Sequence, residues 1–159
     1  PKDNIEEIVW LTTKEQKLEM DFEMMASYLW KRVLILTNTK QQARNVTAAL
    51  SNKGISALAF EADQTQGARQ RALEGLKKAS IRAVVATDLA ARGLHIGPLE
   101  CVINYDFPRT LESYIHRKGR VGRDGEKAYV IHLVFPEEIE AVQSIEKALG
   151  HTLTRQKPS

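Results

Sequence analysis

The stretch VLILTNTKQQARNVTAALSNKG at residues 33–54 decides the fold. Its first four residues form a continuous apolar run with the length of a buried strand. Asn38 or Thr39 can cap the helix predicted over residues 40–52, where apolar side chains recur on one stripe. A buried strand that leads at once into an amphipathic helix is typical of a parallel sheet covered by helices.

The same alternation continues in both directions along the chain. Further strands are predicted at residues 5–11, 55–60, 81–87, 101–105 and 128–134. Further helices are predicted at residues 14–29, 65–78, 111–118 and 137–149, with a short helical turn at 89–91. This pattern predicts a three-layer α/β/α domain with a mostly parallel sheet over residues 5–150. Residues 151–159 are expected to start a C-terminal tail or linker.

Composition sets the class of protein. The 159 residues are 43% hydrophobic and 27% charged, which favours one globular domain, and the longest apolar runs are strand-sized, too short for a membrane span. A formal net charge of +3 permits a nucleic-acid partner without demanding one. Cys101 has no second cysteine to pair with, so we expect a reducing, intracellular compartment. The start at Pro1, without Met or a secretory leader, suggests a piece of a longer protein.

Ligands of such sheets bind at the carboxyl ends of the strands, where two loops combine polar residues with a helix start. Residues 36–40 can receive a phosphate, although Thr39 or Asn38 there can equally serve only as a helix cap. In ATDLAARGL at 86–94, Thr87 can donate to a phosphate oxygen, and Asp88 can pair with Arg92 four residues later. The alternative for this second loop is a capping aspartate beside a solvent-facing arginine.

The third loop, HRKGRVGRDG at residues 116–125, is the richest in cations and glycine. Arg120 and Arg123 are three residues apart, so in a helical turn both guanidinium groups can face one point. Planar, permanently charged groups of this kind suit the oxygens of a triphosphate. The alternative is a solvated basic loop.

Several other chemistries lack their motifs. The sequence contains no G-x-x-x-x-G-K-[ST] phosphate loop, so we expect no nucleotide to be held by this chain alone. It also contains no G-x-G-x-x-G after a strand and no G-x-S-x-G turn. The four histidines are scattered and the cysteine is solitary, which argues against a metal site.

Taken in order, these loops resemble the C-terminal RecA-like domain of a DEAD-box RNA helicase, a P-loop NTPase-like fold without the phosphate loop. The similar segments are VLILTNTK at 33–40 (the family's fourth motif), TQGAR at 65–69 (its Q-x-x-R element), ATDLAARGLHI at 86–96 (the fifth motif), NYDFP at 104–108, YIH at 114–116 and HRKGRVGR at 116–123 (the sixth motif). The resemblance covers about residues 5–150.

The resemblance implies half of an ATP-driven RNA clamp. In this family an N-terminal RecA-like domain holds ATP with Mg²⁺, and the second domain closes on it when RNA is also bound. Arg120 and Arg123 are then expected to be catalytic arginine fingers on the γ-phosphate. Contacts that couple the nucleotide to the other domain are implied for Arg92, His95, His116 and Arg117. Contacts to RNA are implied for Thr39, Gln66, Arg69, Thr87, Asp88 and Gly93.

The implied partners are therefore RNA, read through its backbone and not its sequence, and the N-terminal domain in cis. The isolated fragment is expected to be monomeric and inactive. Two alternatives stay open. One is a degenerate helicase domain that serves as a non-catalytic RNA-binding or protein-interaction module, and the other is a DNA helicase of a related branch.

Four residues depart from the family pattern. His95 stands where an aspartate usually faces the ribose of ATP, so that contact is expected to be weakened or replaced. Glu61 and Ala62 replace a usual His-Gly pair, which is expected to add negative charge near the RNA path. Val121 replaces a common threonine. None of these changes removes Arg120 or Arg123.

Overall fold

The strand predicted at residues 33–36 lies near the centre of a seven-stranded parallel sheet. The computed structural model of the chain describes residues 4–92, 99–119 and 127–156. The strands are β1 (Asn4–Leu11), β2 (Val33–Thr37), β3 (Ala57–Phe60), β4 (Ala83–Thr87), β5 (Cys101–Asn104), β6 (Lys127–Val134) and β7 (Thr154–Gln156). Their order across the sheet is β3-β4-β2-β5-β6-β1-β7, and every neighbouring pair is parallel.

Helices cover both faces of this sheet. They are α1 (Lys17–Tyr28), α2 (Lys40–Asn52), α3 (Gln66–Lys77), α4 (Asp88–Ala91), α5 (Leu111–Lys118) and α6 (Ile139–Leu149), with a 3-10 turn at Pro136–Glu138. Apolar residues of α1 and α2 pack on one face, around Ile35 and Ile103. Those of α3 and α4 pack on the other face around Leu34 and Val102, and α5 and α6 cover Val9 and Val134 there. The predicted three-layer α/β/α fold is confirmed.

Threonine side chains start the four helices that follow β2, β3, β4 and β5. In each case the hydroxyl oxygen accepts from the backbone N–H three residues later, which satisfies a group the helix itself leaves unpaired. The capping residues are Thr39, Thr65, Thr87 and Thr110. Of the two candidates at the start of α2, Thr39 is the cap.

Helix α1 departs most from the sequence prediction. It starts at Lys17 instead of residue 14, because Thr13 caps a preceding turn at Gln16. Of the apolar residues at helical spacing in the predicted helix, Met25 is buried and Leu18 and Phe22 pack partly buried against the core, whereas Leu29 is 70% exposed and adopts a left-handed conformation (φ 58°). The buried stripe is Lys17, Met20, Asp21, Met24 and Met25. Because Lys17 and Asp21 lie on the buried stripe, a search for regularly spaced apolar residues does not find it.

The sheet extends past the expected domain boundary at residue 150. Gly150 ends α6 in a left-handed conformation (φ 83°), and the chain then returns to pair β7 with β1. Arg155 of β7 binds the buried Glu146 carboxylate at 2.7 Å. Residues 154–156 are thus an edge strand of the sheet. Among the described helices, none is long and apolar enough to cross a membrane.

Asp21 is an unusual member of the core. It is fully buried on the inner stripe of α1, and neither carboxylate oxygen has a hydrogen-bond partner among the described residues. Burial raises the pKa of Asp21 from 3.8 to about 7. Its charge contributes to raising the pKa of the buried Cys101 thiol and that of Tyr105. The core therefore favours the protonated acid.

Removal of this charge should stabilise the domain. In the unfolded chain Asp21 ionises near its ordinary value of 3.8, whereas in the folded chain it stays protonated up to about pH 7. The free energy of unfolding therefore falls as pH rises between these values, by about 4 kcal/mol in total. Asp21→Asn should abolish this fall and raise the stability measured by urea denaturation at pH 8. Glu23→Gln, an exposed site on the same helix, is the control. Lower stability of Asp21→Asn at pH 8 would contradict the interpretation.

Candidate functional site

The candidate site lies at the carboxyl edge of β4, β2 and β5, which are neighbours in the sheet. Helix α2, which follows β2, and helix α5, which follows β5, pack on opposite faces of the sheet. The connections therefore diverge on either side of these strands and leave a crevice between them, where open α/β sheets bind ligands. Two of the three loops predicted from sequence, after β2 and after β4, meet at this crevice.

Arg117, in the last turn of α5, is the centre of the site. Its guanidinium is 2% exposed and donates four hydrogen bonds. The acceptors are the carboxylate of Asp88 (3.1 Å), the side-chain oxygens of Asn104 (3.1 Å) and Asn38 (3.1 Å), and the carbonyl of Asp106 (2.8 Å). Burial lowers the pKa of Arg117, and the Asp88 charge opposes that effect.

This arrangement corrects the role expected for Arg117. The resemblance implied a bond to an acidic partner in another domain, yet the guanidinium is buried and engaged within this domain. A buried cation must be paired, and the ends of β4, β5 and β2 supply its partners. Arg117 therefore joins the three segments that form the crevice.

Asp88 and Arg92 do not form the ion pair that their spacing suggested. The two oxygens of Asp88 accept from Arg117 and from the Ser113 hydroxyl (2.8 Å). Arg92 instead lies 3.9 Å from Glu112, and both side chains are exposed. Helix α4 ends at Ala91, one residue before Arg92, so the turn that would bring Arg92 over Asp88 is not completed.

The two threonines of the site keep a free donor. Thr87 accepts from the Ala90 N–H (3.2 Å) and Thr39 from the Gln42 N–H (3.1 Å). Each uses an oxygen lone pair, and neither hydroxyl donates to another described residue. Capping and phosphate binding, which the sequence posed as alternatives at Thr39, are therefore compatible there. In the second loop the cap is Thr87 and not Asp88, the aspartate that the sequence offered as a cap.

Gln66 and Arg69 lie at the start of α3, beside the crevice and outside it. Gln66 is exposed, and the Arg69 guanidinium packs over the Phe60 ring at 4.8 Å. The Nε atom of Arg69 is buried and has no hydrogen-bond partner among the described residues. Because β3 is the strand beyond β4, these residues extend the same sheet edge.

The other predicted residues fall into two groups. His116 is exposed on α5 and shares a small crevice with Arg92 and Arg117. Arg120, Arg123, Gly93 and His95 lie outside the described residues, as does Val121.

A chain of buried polar side chains supports Arg117 from below. Asn104, His132 and Glu7 lie on the adjacent strands β5, β6 and β1, on the sheet face that α5 covers. Asn104 Nδ2 is 2.9 Å from His132 Nδ1, and His132 Nε2 is 2.8 Å from the Glu7 carboxylate. Tyr114 donates to the same carboxylate, and Lys118 pairs with it at 3.0 Å.

The direction of each hydrogen bond in this network follows from the direction of the one before it. Arg117 has only donors, so the Asn104 atom that faces it must be the oxygen, and the amide nitrogen must face His132. His132 Nδ1 must then accept, which places its proton on Nε2, directed at Glu7. Burial alone would raise the pKa of Glu7, but the contacts of His132, Tyr114 and Lys118 outweigh it and lower this pKa from 4.5 to about 2.

The negative charge expected from Glu61 is neutralised. Glu61 is 3% exposed, and its carboxylate accepts from Arg44 of α2 (2.7 Å) and from the Asp63 N–H (2.7 Å). The Arg44 hydrogen bond lowers the pKa of Glu61. This departure from the family pattern forms a contact between α2 and the turn after β3, which reduces its effect on a neighbouring phosphate.

Sequence reasoning missed the members of the supporting chain. Glu7 and His132 each interrupt an otherwise apolar strand, IEEIVWL and VIHLV, and that interruption was the available signal. Arg109 was missed too, although it lines two grooves at the crevice. Among the described residues no group of three or more His, Cys, Asp or Glu side chains could hold a metal ion.

Replacement of Glu7 should change the acid stability of the domain. Its pKa is lowered to about 2 in the folded state, against 4.5 in the unfolded chain. The resulting stabilisation, about 3 kcal/mol, is present above pH 4.5 and is lost as pH falls towards 2. Glu7→Gln should lower the free energy of unfolding at pH 7 and flatten its acid dependence, measured by urea denaturation. Glu6→Gln, at an exposed position near the start of the same strand, should do neither. Equal effects of both substitutions would contradict the network.

The tautomer of His132 is also testable. Long-range ¹⁵N–¹H NMR correlations at pH 7.5 should show a neutral ring with its proton on Nε2. A protonated Nδ1 would place two donors against each other at Asn104 and would contradict the assigned hydrogen-bond directions. Asn104→Ala should leave the proton on Nε2, because the Glu7 carboxylate still accepts from that atom.

Comparisons with known proteins agree with this geometry. The helicase conserved C-terminal domain model matches residues 16–125. RhlB of Pseudomonas aeruginosa (strain UCBPP-PA14), an ATP-dependent RNA helicase, is 35% identical over 156 residues, or 98% of this chain and 39% of that protein. DeaD of Mycobacterium tuberculosis (strain H37Rv), also an ATP-dependent RNA helicase, is 38% identical over 125 residues, or 79% of this chain and 22% of that protein.

Solved structures show the same fold. A DEAD box protein from Methanococcus jannaschii superposes with a TM-score of 0.89 at 30% identity, over 97% of this chain and 42% of that chain. The E. coli DEAD-box protein SrmB, solved with the regulator RraA, superposes with a TM-score of 0.91 at 24% identity, over 98% of this chain and 92% of that chain.

The chain thus spans 39% of the length of the RhlB relative, and the family model matches most of it. The structure agrees with the family match. It has the parallel sheet, the capped strand-end loops and the arginine-centred crevice described above. The chain belongs to the helicase conserved C-terminal domain family and is a C-terminal RecA-like domain of the DEAD-box RNA helicases.

Proposed function

We propose that this chain is the second motor domain of an ATP-dependent RNA helicase. In the complete protein, Arg120 and Arg123 would reach the γ-phosphate of an ATP molecule held with Mg²⁺ by an N-terminal RecA-like domain. The absence of a phosphate loop from this sequence agrees with that division of labour. The described residues also offer no three-carboxylate or histidine cluster for the Mg²⁺.

The observation that carries the proposal is the hydrogen-bonded Arg117 cluster. Arg117 fixes the last turn of α5 against Asp88 at the start of α4. Arg120 and Arg123 follow α5 directly in the chain, and Arg92 follows α4. Arg92 and the end of α5, after which the sequence continues to Arg120 and Arg123, therefore lie at one edge of the described domain, which supports a common target for these cations.

Exposure supports the assignment of contacts across the domain interface. Arg92 and His116 lie at the surface, and Arg92 has only a distant, solvent-exposed contact with Glu112. Such a pair contributes little to stability, so another carboxylate or phosphate can replace Glu112 at low cost. Arg92 and His116 are thus available to a second domain, whereas Arg117 is not.

RNA binding is proposed for the same carboxyl edge of the sheet. The hydroxyls of Thr39 and Thr87 donate to no described residue, and the Arg69 guanidinium, packed over the Phe60 ring, extends the same sheet edge. Hydroxyl and guanidinium donors suit phosphate and ribose oxygens, which supports backbone recognition without base readout. The neutralised Glu61 weakens the argument for a degenerate, non-catalytic module, an alternative that then rests on the departures at Ala62 and His95.

Arginine fingers stabilise charge on the transferring phosphoryl group and contribute about 10³–10⁵ in rate. We therefore expect Arg123→Ala or Arg120→Ala, in the full-length protein, to lower the kcat of RNA-stimulated ATP hydrolysis by about a thousandfold or more. ATP affinity should change far less, because the other domain would hold the nucleotide. Phosphate release under saturating RNA and ATP measures the first effect, and a fluorescent ATP analogue measures the second.

The matched control is Lys31→Ala, which removes an exposed cation next to the start of β2, at the opposite edge of the sheet. It should leave both quantities unchanged. Wild-type activity in the Arg123→Ala and Arg120→Ala proteins would overturn the finger role. If the wild-type protein binds RNA but does not hydrolyse ATP, the non-catalytic alternative is favoured. If DNA of matched sequence stimulates ATP hydrolysis as much as RNA does, a DNA helicase is favoured. The isolated chain should hydrolyse no ATP above background.

A further inference from the structure

Two grooves meet at the carboxyl edge of the sheet. The first, of about 430 Å³, runs between α4 and the start of α5 past Thr87, Leu89 and Glu112. The second, of about 310 Å³, runs along the first turns of α2 past Gln41 and Asn45. We call them the α5 groove and the α2 groove.

Asn38 and Arg109 line both grooves. The α5 groove and the α2 groove therefore adjoin at these two residues, which form their junction, and we call the two grooves together the channel. Asn38 is held in place, since its side chain accepts from Arg117 and its backbone N–H donates to Asp106 (2.8 Å). Arg109 is the exposed member of the junction.

The carboxylates along the channel are compensated. Asp88 is bound by Arg117 and Ser113, and Glu112 lies 3.9 Å from Arg92. Asp106 accepts from the Asn38 N–H and lies 3.9 Å from the buried Lys17 ammonium.

Arg109, in contrast, has no hydrogen bond or ion pair with any residue that the structure describes. Burial is the main cause of the lowered pKa of Arg117, and the Arg109 charge adds to it, so the two cations are near enough to repel each other. Against the described part of the chain, Arg109 is thus an uncompensated cation at the midpoint of the channel, in a position where an anion would relieve repulsion.

We propose that Arg109 binds a phosphate of the RNA strand at the point where the strand passes from the α5 groove to the α2 groove. The proposal rests on the proposed RNA-binding function of this edge. A guanidinium can bind two phosphate oxygens at once, which suits a point that must hold the backbone without reading bases. The amide side chains of Gln41, Gln42 and Asn45 line the α2 groove and provide donors and acceptors for the next sugar and phosphate.

The test uses the full-length protein and a fluorescent single-stranded RNA oligomer, with a non-hydrolysable ATP analogue and a series of salt concentrations. Arg109→Ala should weaken binding about threefold to tenfold at moderate salt. It should also reduce the slope of log affinity against log salt by about 0.7, the value for one phosphate on a single strand. Arg109→Lys should restore the slope, because it keeps the charge, and Arg109→Gln should not.

Lys147→Ala is the matched control, since it removes an exposed cation from α6, which lines neither groove. It should leave affinity and slope at the wild-type values. A DNA oligomer of the same sequence distinguishes a phosphate contact from a ribose contact. If Arg109→Ala loses the same proportion of its affinity for RNA and for DNA, a phosphate contact is supported. If it loses affinity only for RNA, the phosphate contact is overturned in favour of a ribose contact.

Failure of this inference is distinguishable from failure of the proposed function. If Arg109→Ala keeps wild-type affinity and slope while Arg69→Ala weakens RNA binding, the Arg109 contact is wrong and RNA binding at this edge stands. If the wild-type protein binds RNA without salt dependence, or not at all, the proposed function itself fails.

Discussion

The Arg117 guanidinium is the interaction on which the rest of the site depends. A permanently charged group is buried at the carboxyl edge of the sheet, where an unpaired cation would be strongly destabilising. Asp88, Asn104, Asn38 and the Asp106 carbonyl satisfy it, and they belong to the segments after β4, β5 and β2. Because one side chain contacts all of these segments and is part of α5, none of them can move alone without leaving a buried donor or acceptor unpaired.

The orientation of this cluster is fixed from inside the domain. Asn104 is held between a residue that can only donate and a histidine nitrogen that must accept, so its amide has one satisfactory orientation. The charge of Glu7 then balances the Lys118 ammonium of α5, and the same carboxylate accepts a hydrogen bond from the neutral His132 ring of β6. A network in which every member is satisfied specifies a unique arrangement, while one unsatisfied member would destabilise it. This explains why charged and polar side chains interrupt the apolar strands β1 and β6.

The surface residues at the carboxyl edge of the sheet, unlike the buried Arg117 cluster, make few contacts within the described domain. Arg92, Arg109 and His116 are exposed, and their described contacts are weak or absent. The inner residues are committed to the fold and the outer residues remain available to a ligand or a second domain. That division gives physical content to the proposal that the domain acts only when it closes on a nucleotide and an RNA strand, since closure would supply the partners that the outer residues lack.

Most of the fold and the family could be predicted from the sequence alone. Apolar strand runs, threonine caps and helical stripes are local signals, so they predicted the layers, the parallel sheet and α2 and α5 with their observed bounds. The motif order identified the family in the same way. Three features needed tertiary structure. The buried stripe of α1 contains Lys17 and Asp21, which no periodicity of apolar residues reveals. The partners of Arg117 and Glu61 come from segments remote in sequence, and β7 forms only because β1 offers it an edge. These three features depend on contacts between segments that are remote in sequence. A buried charge must be paired, and the tertiary structure determines which residues lie within hydrogen-bond distance of it.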